Sequence, residues 1–241
     1  MNNIATTIPL VNLSIAFIPA LVVVFVLFKW SLGASNAMYG LVRMLGQLLL
    51  VGYFLAYIFE SDSAWIVLGI LSVMVFASSW IALGTIKDKR LVLYKQTLVA
   101  ITLGGGIIFI IITQGVLQID KWYSPQYTIP LAGMIFANSM NCVSLAVERL
   151  AAEIDRGVVY IEARRIALQA SLIPVTNSLF AVGLVALPGM MTGQILSGVS
   201  PLIASRYQIM VMCMIFAAAG ISTVIFLVLA RPVFDQKTQK I

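Results

Sequence analysis

Seven stretches of this chain are apolar for as long as a helix needs to cross a bilayer, and nothing else in the sequence limits the fold so strongly. A hydrocarbon core about 30 Å thick takes a helix of about 20 apolar residues. Ile8 to Phe28, Tyr39 to Phe59, Ala64 to Leu83, Leu98 to Val116, Ile129 to Val147, Leu172 to Leu187 and Tyr207 to Ala230 fit that length. Composition agrees, since 10% of the 241 residues are charged, against about 25% in a soluble domain. The expectation is an all-α, multi-pass integral membrane protein of about seven transmembrane helices, forming a single transmembrane domain over residues 1–241.

Lys and Arg orient such a bundle, because they collect on the cytoplasmic side. With the N-terminus outside and the C-terminus inside, Lys29, Arg43, Lys87, Lys89, Arg90, Lys95, Arg149, Arg156, Arg164, Arg165, Arg231, Lys237 and Lys240 all fall inside. Only Lys121 and Arg206 fall outside. The formal charge of +6 is then a topology signal and a contact with anionic headgroups of the lipid bilayer, with no nucleic acid implied. Met1-Asn2-Asn3-Ile4 carries no positive charge ahead of the first apolar run, so that run reads as an uncleaved anchor. Trp30, Trp65, Trp122, Tyr39, Tyr123 and Tyr127 fall near span ends, as interfacial aromatics do. Cys142 and Cys213 lie inside spans and read as free apolar thiols.

The chain contains no histidine, which removes the usual imidazole base and the commonest metal ligand. It also lacks a G-x-x-x-x-G-K-[ST] phosphate loop, so no cofactor is expected on this chain, and any ATP would sit on a partner subunit. Gly104-Gly105-Gly106 lies in an apolar span with no following Lys, and reads as close helix packing or a kink.

Between apolar flanks, Leu187-Pro188-Gly189-Met190-Met191-Thr192-Gly193-Gln194-Ile195-Leu196-Ser197-Gly198 gathers a helix breaker, three glycines and hydrogen-bonding side chains. One reading is a helix that stops at Pro188 and gives way to an outer loop. The other is a span interrupted at Pro188 to Gly198, of the kind that builds ligand sites in transporters. Polar residues within spans tend to face the bundle interior and mark pathways. In the fifth span Met134, Asn138, Asn141, Ser144 and Glu148 recur every three or four residues, along one helical face. That stripe also fits plain interhelical hydrogen bonding. Arg43 and Gln47 share a face of the second span, where Arg43 can snorkel to the interface. The sixth segment adds Pro174, Thr176 and Asn177. The candidate pathway is thus Asn138, Asn141, Ser144, Glu148, Asn177, Met190, Met191, Thr192 and Gln194. Met190 and Met191 are candidate metal ligands, since thioethers suit soft ions such as Cu(I). Hard ions such as iron(III) or aluminium prefer the oxygens of Asn138, Asn141, Thr192 and Gln194 or backbone carbonyls.

Four separated segments carry a resemblance. Arg43 to Phe59 (RMLGQLLLVGYFLAYIF), Ile129 to Leu150 (IPLAGMIFANSMNCVSLAVERL), Ile173 to Leu187 (IPVTNSLFAVGLVAL) and Pro188 to Val211, in that order, are similar to the FetB-type permeases. Those are membrane subunits of an ABC transporter family that includes iron exporters and plant relatives linked to aluminium tolerance. The resemblance implies a homodimeric permease that acts with a separate ABC ATP-binding subunit in a bacterial-type inner membrane, exporting a metal ion such as iron. It also implies that Arg149 to Ala170 is the cytoplasmic coupling segment, where Ile154, Val158, Ile161 and Ile166 alternate with charges as in an amphipathic helix. Glu153, Arg156, Glu162, Arg164 and Arg165 are its expected contacts with the ATPase. The stretch Glu153-Ile154-Asp155-Arg156-Gly157-Val158 departs from the family pattern, in which a longer loop carries a leucine-glycine-alanine element. An ABC-type exporter of an organic solute such as a nucleotide sugar, and a stand-alone channel or secondary carrier, are the competing readings. A membrane enzyme lacks a nucleophile and base pair to work with.

Overall fold

The computed structural model describes residues 8–60 and 63–238, and the readings of Met1-Asn2-Asn3-Ile4 and Lys240 fall outside them. Among the described residues the secondary structure is ten α-helices with no strand beyond one isolated bridge. Six helices are long and apolar enough to cross a bilayer: Val11–Lys29, Ala34–Glu60, Ala64–Ala82, Lys87–Val116, Pro125–Asp155 and Pro201–Leu229. The chain divides into two compact units, Met1–Ser61 and Asp62–Ile241.

The first unit holds α1 (Leu10–Ile15), α2 (Phe17–Lys29) and α3 (Ala34–Glu60). Chain reversal between α2 and α3 uses two left-handed residues, Ser31 at φ 57° and Gly33 at φ 65°. No side chain of α2 is buried, although the helix is apolar on every face; such a helix is solvated by lipid or by other helices. Arg43 and Gln47 are both exposed on α3.

The second unit contains α4 (Ala64–Ala82), a 3-10 turn at Lys87–Lys89, α5 (Arg90–Ile110), a π-helical turn at Ile111–Val116 and α6 (Pro125–Asp155). It continues with α7 (Tyr160–Ala181), α8 (Gly189–Leu196), α9 (Pro201–Leu229) and α10 (Arg231–Thr238). Its core is the packing of α5, α6 and α9, which small residues allow to approach closely. A Cβ built on Gly104 would stand 2.7 Å from the backbone nitrogen and Cα of Ser222, and one on Gly105 would stand 3.0 Å from Ile135 and Phe136. Gly104 and Gly105 are therefore a helix-crossing device, while Gly106 has nothing within 4 Å of its Cβ position. At the same crossing the buried Ser222 hydroxyl donates to Ser139 Oγ at 3.1 Å, joining α9 to α6.

With 31 residues, α6 is about 46 Å long at 1.5 Å per residue, well beyond a bilayer core. It ends in a Schellman motif: Gly157 adopts φ 85°, its N–H donates to Ile154 O at 2.9 Å, and Val158 N–H donates to Glu153 O at 3.1 Å. The segment predicted as one amphipathic element, Arg149 to Ala170, is consequently the last turns of α6, a tight turn and the first turns of α7. Ile161 is exposed, whereas Tyr160, Ala163, Ala167, Ser171 and Val175 are buried at spacings of three and four.

The predicted sixth span needs a second correction. Leu172 to Leu187 is helical only to Ala181, and the irregular backbone occupies 182–188. The predicted break, Pro188 to Gly198, is instead mostly the helix α8. Gly183, at φ 82°, ends α7 well before Pro188 is reached.

Candidate functional site

Irregular backbone in an apolar setting must bond to itself, and the stretch between α7 and α9 does so. The N–H groups of Leu184, Val185 and Ala186 all donate to Ala181 O, at 3.2, 2.8 and 3.2 Å, and Gly183 N–H donates to Ala186 O at 3.0 Å. Pro188, extended at φ −63° and ψ 148°, sets the entry to α8. A second Schellman motif closes the helix: Gly198 has φ 90°, its N–H donates to Ile195 O at 3.0 Å, and Val199 N–H donates to Gln194 O at 3.0 Å. Ser200 and Pro201 then start α9.

Because α8 is short and stands beside α9, it leaves space on its flanks. A cavity of about 360 Å³ lies among α6, α7, α8 and α9, with Met134, Asn138, Ser178, Met190 and Gln208 in its wall. A second of about 300 Å³ is lined by Gln126, Tyr127, Gln194 and Tyr207, and shares Met134 and Met190 with the first. A third of about 370 Å³ is lined by Leu187, Met191, Ser205 and Cys213, and shares Gln208 and Met212 with the first. None of the three is lined by an Asp, Glu, Lys or Arg.

Two side-chain oxygens of residues that line this space have no hydrogen-bond partner among the described residues. Gln208 is 5% exposed, and its Oε1 accepts no hydrogen bond from any described residue; the buried Oε1 of Gln194 is in the same state. Buried polar atoms are nearly always paired, so such exceptions point to a strained or ligand-facing position. Asn138, by contrast, donates from Nδ2 to Met134 O at 2.8 Å and also lines the first cavity.

The cavities gather some of the residues expected for the pathway and leave others apart. Asn138, Met190, Met191 and Gln194 line them. Thr192 lines none of the three; its hydroxyl donates to Pro188 O at 3.2 Å and stiffens the start of α8. Asn141, Glu148 and Asn177 are exposed and Ser144 is half-buried, so these residues lie outside the core of their own chain. Gln208 was missed. It is a lone amide in an apolar span, a signal as strong as those that marked the asparagines of α6.

At the other end of α6 the charges are knitted together. Glu153, 6% exposed at its side chain, receives Arg149 Nη2 at 2.7 Å and Arg156 Nη1 at 3.3 Å. Glu162 and Arg165 pair at 3.0 Å on the exposed surface of α7, and Arg164 is half-buried. Tyr160 donates its hydroxyl to Leu227 O, pinning the start of α7 to the end of α9. Arg90 donates through Nε and Nη2 to Trp80 O at 3.2 and 2.6 Å while its guanidinium lies 3.8 Å over the Trp80 ring. Among the described residues no cluster of three or more His, Cys, Asp or Glu is positioned to hold a metal ion.

Residues 10–234 match the family described as "Uncharacterised protein family (UPF0014)". A UPF0014 membrane protein of Synechocystis sp. is 40% identical over 219 residues, which is 82% of each chain. The Escherichia coli protein named "Probable iron export permease protein FetB" is 32% identical over 231 residues, 89% of this chain and 87% of that one. Protein ALUMINUM SENSITIVE 3 of Arabidopsis thaliana is 30% identical over 244 residues, 94% of this chain and 87% of that one. No solved structure matches significantly.

Proposed function

Since this chain belongs to the UPF0014 family of membrane proteins, we propose that it is the permease of an ATP-driven exporter of metal ions, coupled to a separate ATP-binding subunit. Its similarity over most of both chains to a protein named a probable iron export permease carries this reading. The bilayer supplies the surroundings of the six apolar helices. ATP belongs to the partner, and this chain performs no catalysis.

The coupling surface is the turn between α6 and α7. Arg156, Val159, Ile161, Glu162 and Arg165 are exposed there, an apolar patch ringed by charge that suits docking on a soluble ATPase. The brace of Arg149, Glu153 and Arg156 makes the tip stiff, so a push on it travels along α6 and α7. Those helices carry Asn138, Val175 and Ser178 into the first cavity, and their tilt would change which side of the membrane it meets. With the Lys- and Arg-rich end inside, the cavities lie toward the outer side.

A second copy completes the pathway. Asn141 and Glu148 sit exposed on α6 with Ser144 half-buried between them, and polar groups facing hydrocarbon are costly. Two copies meeting along this stripe would enclose a polar path that neither has alone.

Purification of the tagged chain from native membranes in mild detergent tests the proposal. An ATP-binding subunit should accompany it in equal stoichiometry, and the double substitution Arg156→Glu and Arg165→Glu should release that subunit without unfolding the permease. A chain that purifies alone and moves ions in liposomes without ATP would replace this reading with that of a channel or secondary carrier.

A further inference from the structure

Five of the chain's 11 methionines line the three cavities around α8: Met134, Met190, Met191, Met210 and Met212. One of its two cysteines, Cys213, lines the third cavity with Met191 and Met212. Ordinary packing would scatter methionine through so apolar a chain. Here sulfur is concentrated where the packing is open, in walls that also include Gln208, whose buried Oε1 has no partner among the described residues.

The charge of the lining narrows what could rest there. No carboxylate faces any of the cavities, and the desolvation cost of an ion grows with the square of its charge. A bare trivalent ion would cost about nine times as much as a monovalent ion of the same radius. Hard ions also require anionic oxygens that these walls lack. Thioethers suit the opposite class: soft, monovalent, weakly hydrated cations.

We propose that the first cavity is a binding site for a soft monovalent cation of the Cu(I) or Ag(I) type, held by the thioethers of Met134, Met190 and Met212 with the Gln208 carbonyl oxygen. As a transport site it rests on the permease reading, and it assigns that permease a thiophilic cargo in place of a hard one. Met191 and Cys213 in the third cavity, reached past Gln208 and Met212, give the ion its next sulfur contacts along a relay.

Silver(I) titration of the full-length chain in lipid nanodiscs, followed by calorimetry, tests the site. One ion should bind per chain, and Met134→Leu, Met190→Leu and Met212→Leu together should weaken it at least tenfold. Met190→Leu alone, on the peripheral helix α8, should weaken it about threefold, which keeps the test valid if the triple variant misfolds. Cys213→Ser should change affinity less than threefold; loss of all binding in that variant would reduce the signal to an ordinary thiol and overturn the proposal. Silver binding that ignores the methionines would overturn it too. Iron transport that needs the ATPase, in a chain that binds no silver, would overturn the site and leave the permease reading standing. Silver binding in a chain with no ATPase partner would do the reverse.

Discussion

The two halves of the second unit are built to opposite rules. Around Ser222 and Tyr160 the helices touch backbone to backbone, and polar groups meet between and along them: Ser222 on Ser139, Tyr160 on Leu227, Arg149 and Arg156 on Glu153, with Gln96 Oε1 and Arg149 Nε left buried without a partner among the described residues. Around α8 the same α6, α7 and α9 stand apart over three cavities, and Gln208 and Gln194 present oxygens that nothing in the described chain meets. One half is closely packed and the other is open. Strain and unsatisfied groups persist where a site requires them, and close packing elsewhere makes that tolerable.

The comparison breaks most directly at Gly104. A methyl group there must displace the backbone of Ser222, which lies 2.7 Å from the added carbon. Gly104→Ala should therefore destabilise the protein by about 3 kcal/mol or more, read as a lower midpoint in detergent-induced unfolding. Gly106, with nothing within 4 Å of its Cβ position, is the control: Gly106→Ala should be neutral or slightly stabilising, because alanine is the better helix former. Equal costs at the two positions would remove the close crossing from the account.

Next in size is the brace at the α6–α7 turn. Glu153→Gln removes a buried charge from Arg149 and Arg156, whose side chains are 40% and 66% exposed. Solvent screening cuts the 3–5 kcal/mol of a fully buried pair to about 1–2 kcal/mol. Raising the salt concentration should shrink the difference between wild type and variant. Tyr160→Phe, which strands Leu227 O, should cost a similar amount, about 1–2 kcal/mol, with no salt dependence.

Smaller again is the serine pair. Ser139→Ala leaves the Ser222 hydroxyl in the core without its acceptor, and hydrogen bonds between membrane helices are worth about 0.6 kcal/mol on average. Thermal unfolding of the single and double alanine variants gives that coupling directly.

How much of this was legible beforehand differs between the halves for a physical reason. Apolar runs of bilayer length identify membrane helices reliably, since hydrocarbon leaves the backbone few alternatives. The glycine triplet, too, could be read as close packing. The hairpin turn was not legible, because Ile154, Val158, Ile161 and Ile166 suggested one amphipathic face while a single left-handed Gly157 cut the segment in two. The burial of Ala163, Ala167 and Ser171 was equally hidden, since small residues look neutral in a hydropathy pattern yet are what tight helix contacts need. Near α8 proline drew attention to Pro188, but Gly183 ended the preceding helix. The candidate site was visible only as residue types. Asn138, Met190, Met191 and Gln194 could be picked as polar or soft groups in an apolar context, whereas the company of Gln208 and Met212 depends on how α9 lies against α7 and α8.

Gln208 gives the smallest predicted change in stability and the sharpest test of the contrast. Where a buried polar group has a partner, as Ser222 and Tyr160 do, removing it strands that partner and costs free energy. At Gln208 the carbonyl oxygen has no partner to strand, so Gln208→Leu exchanges an unsatisfied amide for an apolar side chain of similar size. Its unfolding midpoint should move by the equivalent of less than about 1 kcal/mol, and toward greater stability. Transport measured in liposomes with the ATPase should nevertheless fall, because the one polar side chain shared by the walls of the first and third cavities is gone. A variant that gains stability while losing transport places Gln208 among residues kept for function at a structural cost. One that loses stability and transport together would mean that Gln208 has a structural partner, and the open half would then obey the same rule as the closed one.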